Sequence, residues 1–134
     1  MKKVVLIFAL IFALILAITS CSKDIKTSNG STLNGKWNWV ESSGGLAGKT
    51  ETPATTGKVI TIEISNGIIK YFENGVQTVS DSFTTKIQNS IRGENKNMII
   101  YKSGRPNQSF ELNEKQLILF DECYDCYQSN YSKI

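Results

Sequence analysis

The chain of 134 residues is predicted to fold as an all-β domain, an antiparallel meander of eight strands that closes into a barrel. From Lys58 to Ile64 isoleucines alternate with other residues, and this period of two is typical of a strand with one buried face. Two dipeptides, Asn66-Gly67 and Asn74-Gly75, then separate β-rich runs. Asn-Gly is the strongest short signal for a hairpin, because both central residues of that turn need positive φ. No segment after the apolar N-terminal run has a convincing helical period.

Polar or glycine-containing turns separate most of the expected strands. The longest connection, from Ser43 to Gly57, is rich in Gly, Ser and Thr and has room for at most one helical turn. A connection of this length is either functional or mobile, and we interpret it as mobile. The expected strands span Gly35–Glu41, Lys58–Ile64, Ile68–Glu73, Val76–Ile87, Met98–Lys102, Gln108–Leu112, Gln116–Phe120 and Tyr127–Lys133.

Closure into a barrel is expected because eight short strands would otherwise expose two unpaired sheet edges. Eight strands suit a small closed barrel whose interior is filled by side chains or holds one ligand. A two-layer sandwich is the alternative architecture.

The N-terminus has the order of a secretory signal peptide. Lys2 and Lys3 precede an unbroken apolar run from Val4 to Ile18, which is short for a membrane-spanning helix of roughly 20 residues. The residues Ile18-Thr19-Ser20-Cys21 that end it resemble the bacterial lipobox. This resemblance implies cleavage before Cys21, with lipid attached to its sulfur and to its new amine.

Three regions are therefore expected: a lipoprotein signal peptide at 1–20, a lipidated cysteine and flexible polar tether at 21–32, and one folded domain at 33–134. The lipid would anchor the protein in the bacterial envelope, at the outer membrane, with the periplasmic and the surface face both open. A formal net charge of +3 without a basic patch argues against a nucleic-acid partner. A monomer is expected.

The absence of histidine narrows the possible chemistry. It removes Ser-His-Asp and Cys-His nucleophilic sites and His-ligated zinc, so we expect no enzyme, no cofactor and no metal. With Cys21 lipidated, Cys123 and Cys126 remain as an even pair in an oxidising compartment, which favours a structural disulfide. Three carboxylates lie beside this pair and could bind a hard cation, but a solvated acidic turn is the simpler interpretation: Asp121, Glu122 and Asp125.

Several short motifs resemble the small lipocalin-like lipoproteins of Bacteroidetes and flavobacteria, over about Leu33 to Ile134. The resemblance implies a lipocalin-like barrel in which Trp37 packs over the closed end, with Lys133 in the place of a stacking basic residue. The motifs are Gly35-Lys36-Trp37-Asn38-Trp39, Ser42-Ser43-Gly44-Gly45, Leu117-Ile118-Leu119 before Asp121-Glu122-Cys123, and Tyr131-Ser132-Lys133-Ile134.

Side chains of the barrel interior are the candidate ligand site. We expect non-catalytic binding of a small apolar ligand; the alternative is a structural or interaction lipoprotein with a filled barrel, whose loops bind an envelope partner. One strand stays ambiguous, since Ile68 and Phe72 compete with Ile69 and Tyr71 for its inner face. The candidate ligand-binding residues are Trp37, Trp39, Ile62, Tyr71, Phe83 and Tyr101.

Overall fold

The computed structural model describes residues 32–134 and confirms the all-β fold. Eight antiparallel strands form a closed ring, and one further short strand pairs at its rim. The expected signal peptide at 1–20, Cys21 and all of the tether except Thr32 lie outside the described residues. The strands and the one helix are β1 Gly35–Gly44, β2 Lys49–Glu51, α1 Pro53–Thr56, β3 Ile60–Ser65, β4 Ile68–Glu73, β5 Val76–Asn89, β6 Asn95–Tyr101, β7 Gln108–Leu112, β8 Gln116–Asp121 and β9 Tyr127–Lys133.

The ring is a meander from β3 to β9 that β1 closes on both sides. Along β1, Trp37 lies opposite Ile62 of β3 and opposite Lys133 of β9. The strands are strongly staggered: the first half of β5 pairs with β4 up to Ser82, and its second half pairs with β6 from Phe83 onward. Such a stagger tilts the strands and widens a barrel.

The Asn-Gly turns have the backbone that the sequence predicts. Asn66 and Asn74 have φ of 52° and 51°, and Gly67 and Gly75 follow with φ of 75° and 81°. Both central residues of each turn are thus left-handed, the geometry of the hairpin turn that matches the twist of its strands.

The connection from residue 43 to residue 57 is more ordered than predicted. β1 continues through Gly44, and β2 pairs with its end in an added hairpin. The four-residue helix α1 follows, with Thr52 and Thr55 exchanging side-chain and backbone hydrogen bonds in a capping box and Gly57 ending it at φ 70°. Local caps and left-handed glycines therefore give this segment structure without an apolar pattern.

The core lies inside the ring, where alternate side chains of the strands converge. One end is closed by Trp37, which is fully buried and donates its Nε1–H to the carbonyl of Leu33 at 3.0 Å. Lys133 Nζ lies 5.1 Å from the centroid of the Trp37 ring. The buried apolar residues of the core are Leu33, Trp37, Trp39, Ile62, Ile64, Ile69, Phe83, Ile99, Tyr101, Phe110, Leu112, Leu117, Leu119 and Tyr131.

The two ends of the barrel differ in what bounds them. The chain enters and leaves the domain at the closed end, beside Trp37. The opposite end, called here the open end, is bounded by the β1–β2 hairpin turn, the β4–β5 turn, the β6–β7 connection and the β8–β9 connection.

Gly44 of β1 lies against the backbone of Cys126 and Tyr127 at the start of β9, and its replacement tests the closure of the ring. A Cβ at Gly44 would lie 2.8 Å from Tyr127 Cα, whereas a Cβ at Gly48 would meet nothing within 4 Å. Both glycines have positive φ, 149° and 59°, so Gly48→Ala is the control for alanine at a positive φ where no neighbouring atom is crowded. We expect Gly44→Ala to lower the free energy of unfolding by roughly 3 kcal/mol and Gly48→Ala by about 1 kcal/mol. Urea unfolding followed by tryptophan fluorescence measures both, and equal losses would contradict the close packing.

Candidate functional site

The structure places all six candidate ligand-binding residues in the barrel, but most of them fill it. Trp37, Trp39, Ile62, Phe83 and Tyr101 belong to the buried core and are at most 6% exposed. Tyr71 is half-buried and packs against this core from the open end. The face ambiguity of β4 is settled, because Ile69 and Tyr71 point inward. The barrel interior below Tyr71 is therefore packed with side chains.

An open depression of about 340 Å³ lies above this packed core, between β3, β4, β5 and the β6–β7 connection. Its lining combines aliphatic and aromatic side chains with one cation and one carboxylate. Of the six candidates only Tyr71 lines it. The lining residues are Ile60, Tyr71, Phe72, Glu73, Thr78, Val79 and Arg105.

A β-bulge shapes one wall of the depression. Tyr71 lies opposite Val79 and Phe72 lies opposite Gln77, so Thr78 has no partner across the ladder. The Thr78 hydroxyl donates instead to the carbonyl of Tyr71 at 3.3 Å. Bulges bend a strand and redirect its side chains, and here the extra residue widens the wall beside Tyr71.

A directed chain of hydrogen bonds crosses the floor of the depression. Gln108 Nε2 donates to Asp121 Oδ1 at 2.8 Å, which leaves Gln108 Oε1 to accept from the Tyr101 hydroxyl at 2.5 Å. The Tyr71 and Tyr101 oxygens lie 3.4 Å apart. Because Tyr101 has only one hydroxyl proton and gives it to Gln108, Tyr71 is the donor in that pair.

Burial raises the pKa of three tyrosine hydroxyls in the barrel. The pKa values of Tyr71, Tyr101 and Tyr131 are all raised above the usual 10.0, chiefly because a phenolate would lose its hydration in the barrel. For Tyr101 the neighbouring Tyr71 adds to the rise in pKa, while Arg105 opposes it. The three hydroxyls are therefore neutral hydrogen-bonding groups.

Arg105 is the cation of the open end. Its guanidinium carbon lies 4.2 Å from the centroid of the Tyr101 ring and 5.1 Å from that of Tyr71. Three lining residues are not among those predicted from the sequence: Arg105, Ile60 and Val79. Arg105 follows the Tyr101 strand in a turn motif, and such a motif alone does not indicate a ligand contact.

The acidic residues near the two cysteines do not form one cluster. Asp121 points toward Gln108, whereas Glu122 accepts the backbone N–H of Ile91 at 2.9 Å and the Ser90 hydroxyl at 3.0 Å. Partial burial acts against the charge of Glu122, but hydrogen bonds from Ser109, Ile91 and Ser90 outweigh it and lower its pKa. Within residues 32–134, no three His, Cys, Asp or Glu side chains are grouped as metal ligands.

Cys123 and Cys126 are joined by a disulfide in the β8–β9 connection, with Cα atoms 5.5 Å apart. Glu122, directly before it, holds the β5–β6 connection against the outer wall of the barrel. Arg92 of that connection stacks on Phe120 at 5.0 Å. These contacts belong to the scaffold around the open end. None of the described helices is long and apolar enough to cross a membrane.

The buried tyrosines make the protein less stable at alkaline pH. Above about pH 10 the unfolded chain releases the tyrosine protons, whereas the folded state keeps them. The free energy of unfolding therefore has its full contribution from these tyrosines below about pH 10 and decreases as pH rises above it. We expect Tyr101→Phe to reduce the slope of unfolding free energy against pH by about 1 kcal/mol per pH unit above pH 10. Urea unfolding of both proteins from pH 8 to pH 11 measures the slopes. Identical slopes would show that Tyr101 ionises as readily in the folded protein as in the unfolded chain.

Comparisons with known proteins gave no relative. No protein-family model, no curated protein and no solved structure matches this chain.

Proposed function

We propose that this domain binds a small, largely apolar ligand at the open end of the barrel and performs no catalysis. The depression of about 340 Å³ lined by Ile60, Tyr71 and Val79 carries this proposal. Its volume is near the lower limit of small-molecule sites, which are concave, mostly apolar and provided with a few polar groups.

The packed core limits the size of the ligand. Trp39, Phe83 and Tyr101 fill the interior. A ligand would therefore contact Tyr71, which is hydrogen-bonded to Tyr101, rather than enter a deep cavity. Burial of its apolar surface would supply affinity at roughly 25 cal/mol per Å², before the losses of association. Without histidine the chain lacks the usual general base near neutral pH, which supports binding without chemistry.

The proposed setting is the bacterial envelope, with the protein held at the outer membrane by lipid on Cys21. The folded domain begins at the closed end of the barrel, next to Trp37. A tether that enters there would leave the depression facing away from the bilayer, accessible to a ligand from the aqueous side.

Lipidation is tested by metabolic labelling with a radioactive fatty acid in the host bacterium. We expect Cys21→Ala to abolish the label, because the lipobox cysteine provides the only acceptor sulfur for the first acyl group. Cys123→Ser is the control and should keep the label. Label that persists in Cys21→Ala would refute the anchor.

Ligand binding is tested with 1-naphthalenemethanol, a neutral apolar probe, on the full chain in nanodiscs by calorimetry against empty nanodiscs. Val79 lines the depression, whereas Val76 on the same strand is 68% exposed and outside it. We expect Val79→Lys to weaken binding about tenfold or more, because a long charged side chain would replace part of the apolar lining, and Val76→Lys to leave it unchanged.

Equal binding of the probe by the two lysine variants would refute a ligand site in this depression. That outcome would favour the alternative, an interaction lipoprotein with a filled barrel. Leu46 and Tyr124, which are 93% and 83% exposed in connections of the open end, would then be its contact residues.

A further inference from the structure

We propose that the ligand of the open end is a small organic carboxylate whose anionic group is held by Arg105. This inference rests on the proposed binding function and adds the chemical class of the ligand. The position of the guanidinium, the charges around it and the hydrogen-bond donors of the depression support this class of ligand.

The guanidinium of Arg105 is oriented before any ligand arrives. It stacks at 4.2 Å on the Tyr101 ring and lies 5.1 Å from the Tyr71 ring, both in the barrel wall. Stacking uses the flat face of the group and leaves the N–H edge available. A guanidinium has five N–H donors, so an interaction with the Tyr71 hydroxyl leaves others for a carboxylate.

The charge of Arg105 is not balanced by an acidic partner. None of the ion pairs within residues 32–134 includes it. Glu73, which lines the depression, pairs with Lys58 at 3.2 Å. Asp121, in contrast, keeps its charge, accepts a hydrogen bond from the neutral Gln108 amide at 2.8 Å and forms no ion pair with Arg105. A half-buried cation on aromatic faces is well suited to receive an external anion.

The tyrosines of the floor have no proton to offer a ligand. Tyr101 donates to Gln108, and Tyr71 donates to Tyr101. Arg105 is therefore the strong donor that this floor and wall present to the depression. A carboxylate can take two parallel N–H bonds from it, while an alcohol of the same shape takes one weaker bond and an amine is repelled.

The apolar part of the ligand follows from the remaining lining. Ile60, Phe72 and Val79 contact the volume of about 340 Å³ that Arg105 borders. A carboxylate with one compact aromatic or short aliphatic body matches this division into an apolar wall and one cation. A long chain does not, because the core beneath is filled.

The test compares 1-naphthoate with 1-naphthalenemethanol, two ligands of the same body, by calorimetry on the full chain in nanodiscs. We expect the wild-type protein to bind the carboxylate about tenfold more tightly than the alcohol. Arg105→Gln should remove this preference and keep binding of the alcohol. Arg92→Gln is the matched control, because Arg92 also stacks on an aromatic ring but lies on the outer wall.

Arg105→Lys covers the case in which the glutamine variant fails to fold. Lysine keeps the positive charge but lacks the planar guanidinium, so we expect this variant to prefer the carboxylate over the alcohol by only a few-fold. Equal affinity of the wild type for both ligands, or an unchanged preference in both Arg105 variants, would overturn the carboxylate assignment while leaving the binding function intact. Absence of binding for both ligands would overturn the binding function itself.

Discussion

The pairing of β1 with β9 is the interaction on which the rest of the molecule depends. It extends from Trp37 opposite Lys133 to Gly44 opposite Tyr127 and joins the first and last strands of the ring. No short turn connects these strands, so their ladder and the core behind it must offset the entropy of closing nearly the whole domain. Without this ladder the sheet would have two free edges and no enclosed core.

Much of the fold could be predicted because its signals are local. The isoleucines of β3 reveal one buried face, and Asn66-Gly67 and Asn74-Gly75 specify turns that need no distant contact. The predicted closed barrel is confirmed, although exposed strand edges rather than any residue pattern distinguish a barrel from a sandwich. The hairpin that β2 adds was missed, since its glycines and capping threonines have no apolar period.

The candidate site was harder to predict than the fold. The aromatic residues expected in the interior do lie there, yet most of them, including Trp37 and Phe83, fill space. The stagger of β5 and the bulge opposite Tyr71 decide which residues border the depression. Neither feature can be recognised in a single sequence. Arg105 contacts both tyrosine rings from the β6–β7 connection, and the local sequence of that turn does not indicate these contacts.

The separation of the two barrel ends also bears on how such a protein can diversify. Trp37, Lys133 and the C-terminal Ile134 lie at the closed end, whereas surface connections bound the open end. Insertions and substitutions in surface connections leave the strand ladders unchanged. Selection can therefore change the connections of the open end repeatedly while the closed end and the strand ladders stay the same.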